Sequence, residues 1–377
     1  MGLVSSFLPI LAEELDPTGT LVGLVISAWY LARIFIELPS GLISDMIGRR
    51  KLLLFGIFLS CIGSLLCVVP SIYALIVGRA LWGFGTSFVF LNNTALVLEI
   101  LNTKNRKTGL GVFQGIQWVG SFIGTPIGAL IASVLDFYSV FYTTFTITAL
   151  SFFVSLFSKD LKKVGGGSTG TVRKIKLRDS LAALSSLGLM IVCIVTFIRI
   201  LISAGVMSTI FQLYLYQRVG IGVALIGIIV GVRTGGFTLS TFIGGYLTEK
   251  VGVKRIVIIG LLLQTSCLFF YTTIRAFEHF LLFAFLDGTG VGVASVALVI
   301  MLSDITKKRN LGGAIGLYRT FMDFGGVTGP IFFILIWNKF SAYMPFYLAI
   351  ALIFTSILII LIPTEIKPVE QSTGKID

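Results

Sequence analysis

Eight charged side chains fall inside stretches otherwise built of Leu, Ile, Val, Phe, Gly and Ala: Arg33, Glu37, Arg79, Arg199, Arg233, Asp287, Arg319 and Asp323. A charge in such surroundings is costly unless it meets an opposite charge or lines a polar cavity, so these are the residues that could do chemistry. The chemistry open to them is proton carriage, ion pairing and recognition of a charged solute. Asp287 lies in the glycine-flanked stretch LDGTGVG with no cation adjacent in sequence, and is the leading proton carrier. Glu37 and Asp323 each stand four residues from an arginine, the spacing of an ion pair within one helix. Arg79, Arg199 and Arg233 have no such neighbour. Either they pair with Asp287 or with backbone carbonyls, or they leave a central cavity with surplus positive charge, which would suit an anionic solute. Covalent chemistry has no foothold. There is no phosphate-cradling GxxxxGK[ST] loop, no metal-ligand cluster and no nucleophile motif, and the one histidine, His279, falls at a helix end. No enzyme, cofactor or metal is expected.

The elements that position these charges are set by composition. Of 377 residues, 56% are hydrophobic and 12% charged, about half the charged share of a soluble domain. Apolar runs of about 20 residues recur along the whole chain, each long enough to cross a bilayer, and in lipid such runs must be helices because every backbone amide needs an internal partner. The spans read as 1–12, 20–43, 52–70, 72–97, 109–134, 137–157, 184–214, 221–247, 255–274, 278–302, 311–337 and 342–362. The fold class is therefore an all-α membrane protein of twelve transmembrane helices. The first run is short, about 18 Å of helix against about 30 Å of hydrocarbon, and reads as the end of a helix that begins upstream.

A net charge of +12 would suggest nucleic acid, but its distribution argues for a membrane. Cations gather in alternate loops: Arg49, Arg50 and Lys51; Lys104, Arg106 and Lys107; seven between Lys159 and Arg178; Lys250, Lys254 and Arg255; Lys307, Lys308 and Arg309. The loops between them carry Arg218, Arg275 and Lys339. The positive-inside rule makes the first set, and both termini, cytoplasmic. Cys61, Cys67, Cys193 and Cys267 all lie within spans, as free thiols packed like small hydrophobes.

An internal repeat organises the chain. At a shift of 204 residues Gly23 meets Gly227, Gly41 meets Gly245, Asp45 meets Glu249, Gly48 meets Gly252, Gly56 meets Gly260 and Pro126 meets Pro330. Both copies of the charged turn fall on the same side, so each half holds an even number of spans and the halves are parallel repeats. The expected units are a six-helix half over 1–158, a Gly/Ser-rich linker over 159–180 and a second six-helix half over 181–377.

Twelve helices in this arrangement, with the stretch GLISDMIGRRK, resemble the major facilitator superfamily. Gly41, Asp45, Gly48, Arg49, Arg50 and Lys51 fit that family's signature between helices 2 and 3, with Met46 where a cation is usual. The resemblance implies an inner-gate latch of Gly41, Asp45, Gly48, Arg49 and Arg50 with a second acid, for which Glu99 is the candidate. The basic residues can equally serve topology alone. LIVGRALWGFG resembles the family's helix 4 pattern, which would set Arg79 beside a proton-carrying carboxylate; the other reading has Arg79 reaching the outer interface. Gly111, Gly115, Gly120, Gly124, Pro126 and Gly128 are similar to the glycine-rich motif of drug antiporters, interrupted by Thr125.

These features imply a monomeric secondary transporter in the cell membrane, working by alternating access on a small-molecule solute. Proton-coupled export of small amphipathic or organic compounds is the expectation. Organic-anion uptake or exchange is the alternative, and a non-transporting membrane sensor is a reading of a different class. A further expectation comes from depth. Counted from the basic ends, Glu37 and Arg319 lie at about 12–13 Å, and Arg33 and Asp323 at about 18–20 Å. Helices 2 and 11 are expected to face each other, which sets Glu37 opposite Arg319 and Arg33 opposite Asp323 as a network holding the cytoplasmic side closed.

Overall fold

The computed structural model describes residues 2–100, 106–159, 161, 187–306 and 311–363; the side chains at 37–46, 91, 94–95, 97–100, 106–114 and 311–312 are outside that description. The linker expected over 159–180 lies almost wholly outside it as well. Twelve helices are present among the described residues. They are α1 (Leu8–Leu15), α2 (Val22–Ile47), α3 (Arg49–Leu66), α4 (Ile72–Ile100), α5 (Arg106–Val134), α6 (Phe137–Phe157), α7 (Leu187–Val219), α8 (Val223–Val251), α9 (Val253–Thr273), α10 (Phe277–Ile305), α11 (Leu311–Lys339) and α12 (Met344–Leu361). Nine of them are long and apolar enough to cross a membrane. Side chains such as Phe35, Val154, Phe242 and Leu358 stand exposed around the bundle, as a lipid-facing surface requires.

Several boundaries shift by a few residues from the sequence reading, and two of the shifts stand out. The third helix starts at Arg49, so the basic triplet is its first turn. Gly48 sets this limit, with φ 97° and ψ 137°, a backbone conformation that side chains with a Cβ avoid. The seventh helix runs to Val219 because it contains two stretches of wide i→i+5 turns, Ser203–Ile210 and Leu215–Val219. Thr209 supports the first by donating its hydroxyl to Ala204 O, 2.8 Å away.

The repeat is visible in detail. Gly252, the partner of Gly48, has φ 96° and ψ 143°. Two residues on, Arg50 Nη2 donates to Leu156 O (2.8 Å) and Lys254 Nζ donates to Ile362 O (3.1 Å). Each half thus uses the repeated cation to satisfy carbonyls at the C-terminal end of its last helix, where a positive charge is also favoured by the helix dipole. Glu13 and Gln217, 204 residues apart, hydrogen-bond to each other. Repeat-related residues that touch must straddle the axis relating the halves, so α1 and α7 meet on that axis.

Candidate functional site

Two ends of the bundle are distinguished by chemistry: the basic end, carrying Arg49–Lys51 and Lys250–Arg255, and the far end. The halves meet along two seams, α2 against α11 and α5 against α8. Both seams loosen from the far end toward the basic end. On the first, a Cβ at Gly23 would stand 2.7 Å from Pro330 O, so the backbones are in contact. Ser27 Oγ donates to Val327 O (2.6 Å), and the Tyr30 ring lies against Gly326. At mid-depth only long side chains reach across, Arg33 Nε standing 3.4 Å from Asp323 Oδ1. Still nearer the basic end, a Cβ at Gly316 would meet nothing within 4 Å. The second seam follows the same course. Gly227 lies against Ala129, Gly231 against Pro126 and Gly235 against the Phe122 ring; then Trp118 packs on Phe237 at 4.7 Å and Gly115 meets only the tip of Phe242. Gly245, nearer the basic end, again has open space around it.

The far end is sealed. Asp16 organises the α1–α2 loop. Its carboxylate accepts from the Thr18 hydroxyl (2.6 Å), the Thr18 N–H (3.2 Å) and the Leu21 N–H (2.7 Å). These bonds, the Thr18 hydroxyl foremost, hold its pKa below the ordinary carboxylate range. The loop so shaped sets Gly19, at φ 65°, against Asn338 of α11, whose amide reaches Thr18 O at 3.5 Å. Beside it, Gln212 Nε2 of α7 donates to Ser5 O (3.4 Å).

Arg79 aside, the membrane charges among the described side chains fall into three places. Arg33 and Asp323 form the mid-seam pair, with Trp29 stacked 4.7 Å beneath the guanidinium and its own Nε1 donating to Thr86 Oγ1 (3.0 Å). Arg319 lies 5.7 Å from the Phe90 ring, so a second contact between the halves is aromatic. Glu37, its expected partner, lies outside the described side chains, as do Asp45 and Glu99 of the expected latch. Gly41 lies there too, within the backbone of α2. Arg49 opens α3, and Arg50 is engaged at the end of α6. The Arg33–Asp323 contact therefore coexists with closure at the far end.

The second place is inside the later half. Arg233 Nε of α8 donates to Asp287 Oδ2 of α10, and Asp287 is fully buried. Asp287 thus has a cation partner, 54 residues away in sequence, which a search of adjacent positions misses. Arg79, buried near the far end of α4, stacks over Trp82 at 5.5 Å. The third place is Arg199 of α7, whose Nη1 donates to Ser295 Oγ of α10 at 2.8 Å. Among the described residues no group of His, Cys, Asp and Glu is placed to hold a metal ion.

Comparison with known proteins agrees with this architecture. Residues 1–198 and 192–377 match the family model described as Major Facilitator Superfamily. The chain is 24% identical over 359 residues to Multidrug resistance protein 1 of Bacillus subtilis, covering 93% of this chain and 88% of that protein. It is 25% identical over 339 residues to Multidrug resistance protein MdtG of Escherichia coli, covering 88% and 82%. An uncharacterized MFS-type transporter of Methanocaldococcus jannaschii is 23% identical over 350 residues, covering 88% and 86%.

Proposed function

The chain belongs to the major facilitator superfamily of membrane transporters, and from that premise we propose that it exports small amphipathic organic compounds across the cell membrane in exchange for protons, by alternating access. The observation that carries this reading is the graded seam. Contact between the halves passes from backbone against backbone, through ring and long side chain, to open space, on both seams and in the same direction. Two rigid bodies that touch at one end and part at the other are one of the two states that alternating access requires. With the basic end cytoplasmic by the positive-inside rule, this is the inward-open state, and both termini lie in the cytoplasm.

The remaining parts find places in a cycle. In this reading Gly41, Asp45, Gly48, Arg49, Arg50 and Glu99 form a latch that acts in the opposite, outward-facing state. The multidrug names of two relatives support export of organic compounds. So do the aromatic side chains near the central seams: Trp29, Phe90, Trp118 and Phe237 offer apolar faces that suit amphipathic solutes. Asp287 serves as the proton carrier. Protonating it removes the charge that holds Arg233. Arg233 lies on α8 between Gly231 and Gly235, the residues that pack on Pro126 and Phe122 of α5. A change at Asp287 therefore reaches the second seam through one helix.

The test is flux in proteoliposomes with a fluorescent lipophilic cation. An imposed pH gradient should drive accumulation, and a protonophore should stop it. Accumulation indifferent to the gradient would remove proton coupling, and no flux of any solute would remove the transporter reading.

A further inference from the structure

Arg199 is a buried cation that the export cycle leaves unused. It is 6% exposed and sits at mid-depth on α7. Its Nη1 donates to Ser295 Oγ, while its Nε has no partner. No carboxylate lies within ion-pair reach of it among the described residues. One turn closer to the basic end, on the same face of α7, Thr196 is fully buried and its hydroxyl also has no partner. That is unusual in this chain. The buried hydroxyls of Thr125, Thr144, Thr238, Thr248 and Thr265 each donate to the carbonyl four residues back in their own helix. Ser295 has spent its proton on Val291 O (2.6 Å), so toward Arg199 it acts only as acceptor.

Two unsatisfied donors, and a positive charge with no carboxylate in reach among the described residues, therefore lie one turn apart on α7, with Ser295 of α10 against the guanidinium. Water would satisfy the hydroxyl but would not neutralise a guanidinium held away from bulk solvent. A compact oxyanion does both, accepting charge-assisted bonds from the guanidinium edge and a third from the threonine. Ser295 is only half-buried, and in a helix a long side chain such as Arg199 leans toward the N-terminus, here the basic end.

We propose that Arg199 and Thr196, with Ser295 orienting the guanidinium, form an anion subsite that takes the carboxylate or other oxyanion group of the transported solute. The export reading enters only in calling that ligand the solute; binding itself stands apart from it. Exported compounds would then include amphipathic acids, with the apolar body on the aromatic seam and the acid on α7.

Thermal unfolding of the full chain in detergent tests this, with sodium benzoate or sodium phosphate replacing sodium chloride at fixed sodium. Benzoate should raise Tm saturably, as expected for a ligand that binds only the folded state, and neutral benzamide should not. Arg199→Gln should abolish the response. Thr196→Val, which keeps the side chain's shape and removes only the hydroxyl, should weaken benzoate at least tenfold. Absence of a saturable response to either anion, an equal response in the Arg199→Gln protein, or unchanged affinity in the Thr196→Val protein would overturn the subsite. A response to phosphate alone would leave an inorganic-anion site and overturn the assignment to the solute's acid group. Proton-driven flux of a lipophilic cation without benzoate binding would sink the subsite and leave the export reading intact. Benzoate binding without flux of any solute would do the reverse.

Discussion

Asp287 meets Arg233 and Asp323 meets Arg33, and the two pairs join different bodies. Arg233 and Asp287 belong to one half, so their pair can be remade without parting the halves. Asp287→Asn should abolish pH-driven accumulation in proteoliposomes while leaving solute exchange measurable; retained accumulation would take the proton role from Asp287. Arg33 and Asp323 join the two halves. Asp323→Asn removes an acid that bridges the halves to the partly exposed Arg33, and should cost on the order of 2 kcal/mol in thermal stability. The double variant with Arg33→Gln should lose less than the sum of the single losses. Strictly additive losses would show that the pair does not hold the seam. Asp16 supplies a control on pH. Its carboxyl is held below the ordinary range, so the order it gives the far-end loop is fully present above about pH 4 and is lost only as pH falls through its lowered value. Label distances between positions 20 and 339 should therefore show no contribution from Asp16 between about pH 5 and 8, and Asp16→Asn should lengthen them at neutral pH. A neutral-pH distance unchanged by that substitution would remove Asp16 from the seal.

Helices account for what the sequence made legible and what it did not. Span number, the repeat and a charged turn between residues 43 and 52 could all be read, because run length, a constant shift and a cluster of charges are local signals. The extension of α7 could not. Wide turns there go with close packing, Gly205 lying against Gly329 of α11, and packing of that kind leaves no trace in a hydropathy pattern. Partners of the buried arginines divide in the same way. Counting turns on two helices sets Arg33 and Asp323 at one depth, and their side chains stand 3.4 Å apart. Arg233 and Ser295 carry no periodic signal that names Asp287 or Arg199. At this scale the seam itself can be tested. A side chain at Gly23 would drive into the backbone at Pro330, where nothing flexible can yield. Gly23→Leu should wedge α2 from α11 at the far end and raise thiol labelling of a cysteine placed at residue 27; unchanged labelling would mean the far-end contact is not a tight gate.

The whole molecule is two copies of one six-helix unit meeting on an axis where Glu13 and Gln217 touch. The equivalent seams are not filled alike. One carries the Arg33–Asp323 pair at mid-depth, and the other stacks Trp118 on Phe237. The two edges between the halves thus differ in chemistry, ionic on one and aromatic on the other. The central claim is that these bodies rock about that line. It is tested most directly by spin-label distances between the halves on the purified protein in nanodiscs. One pair is placed at the far end, at positions 20 and 339, and one at the basic end, at positions 47 and 304, all exposed. Asp45→Asn removes the acid of the opposite latch and should populate the inward-open state, with a short far-end distance and a long basic-end distance. In the wild type the two distances should change reciprocally with solute and pH, one lengthening as the other shortens. Distances that stay fixed under every condition, or that lengthen together, would contradict the account.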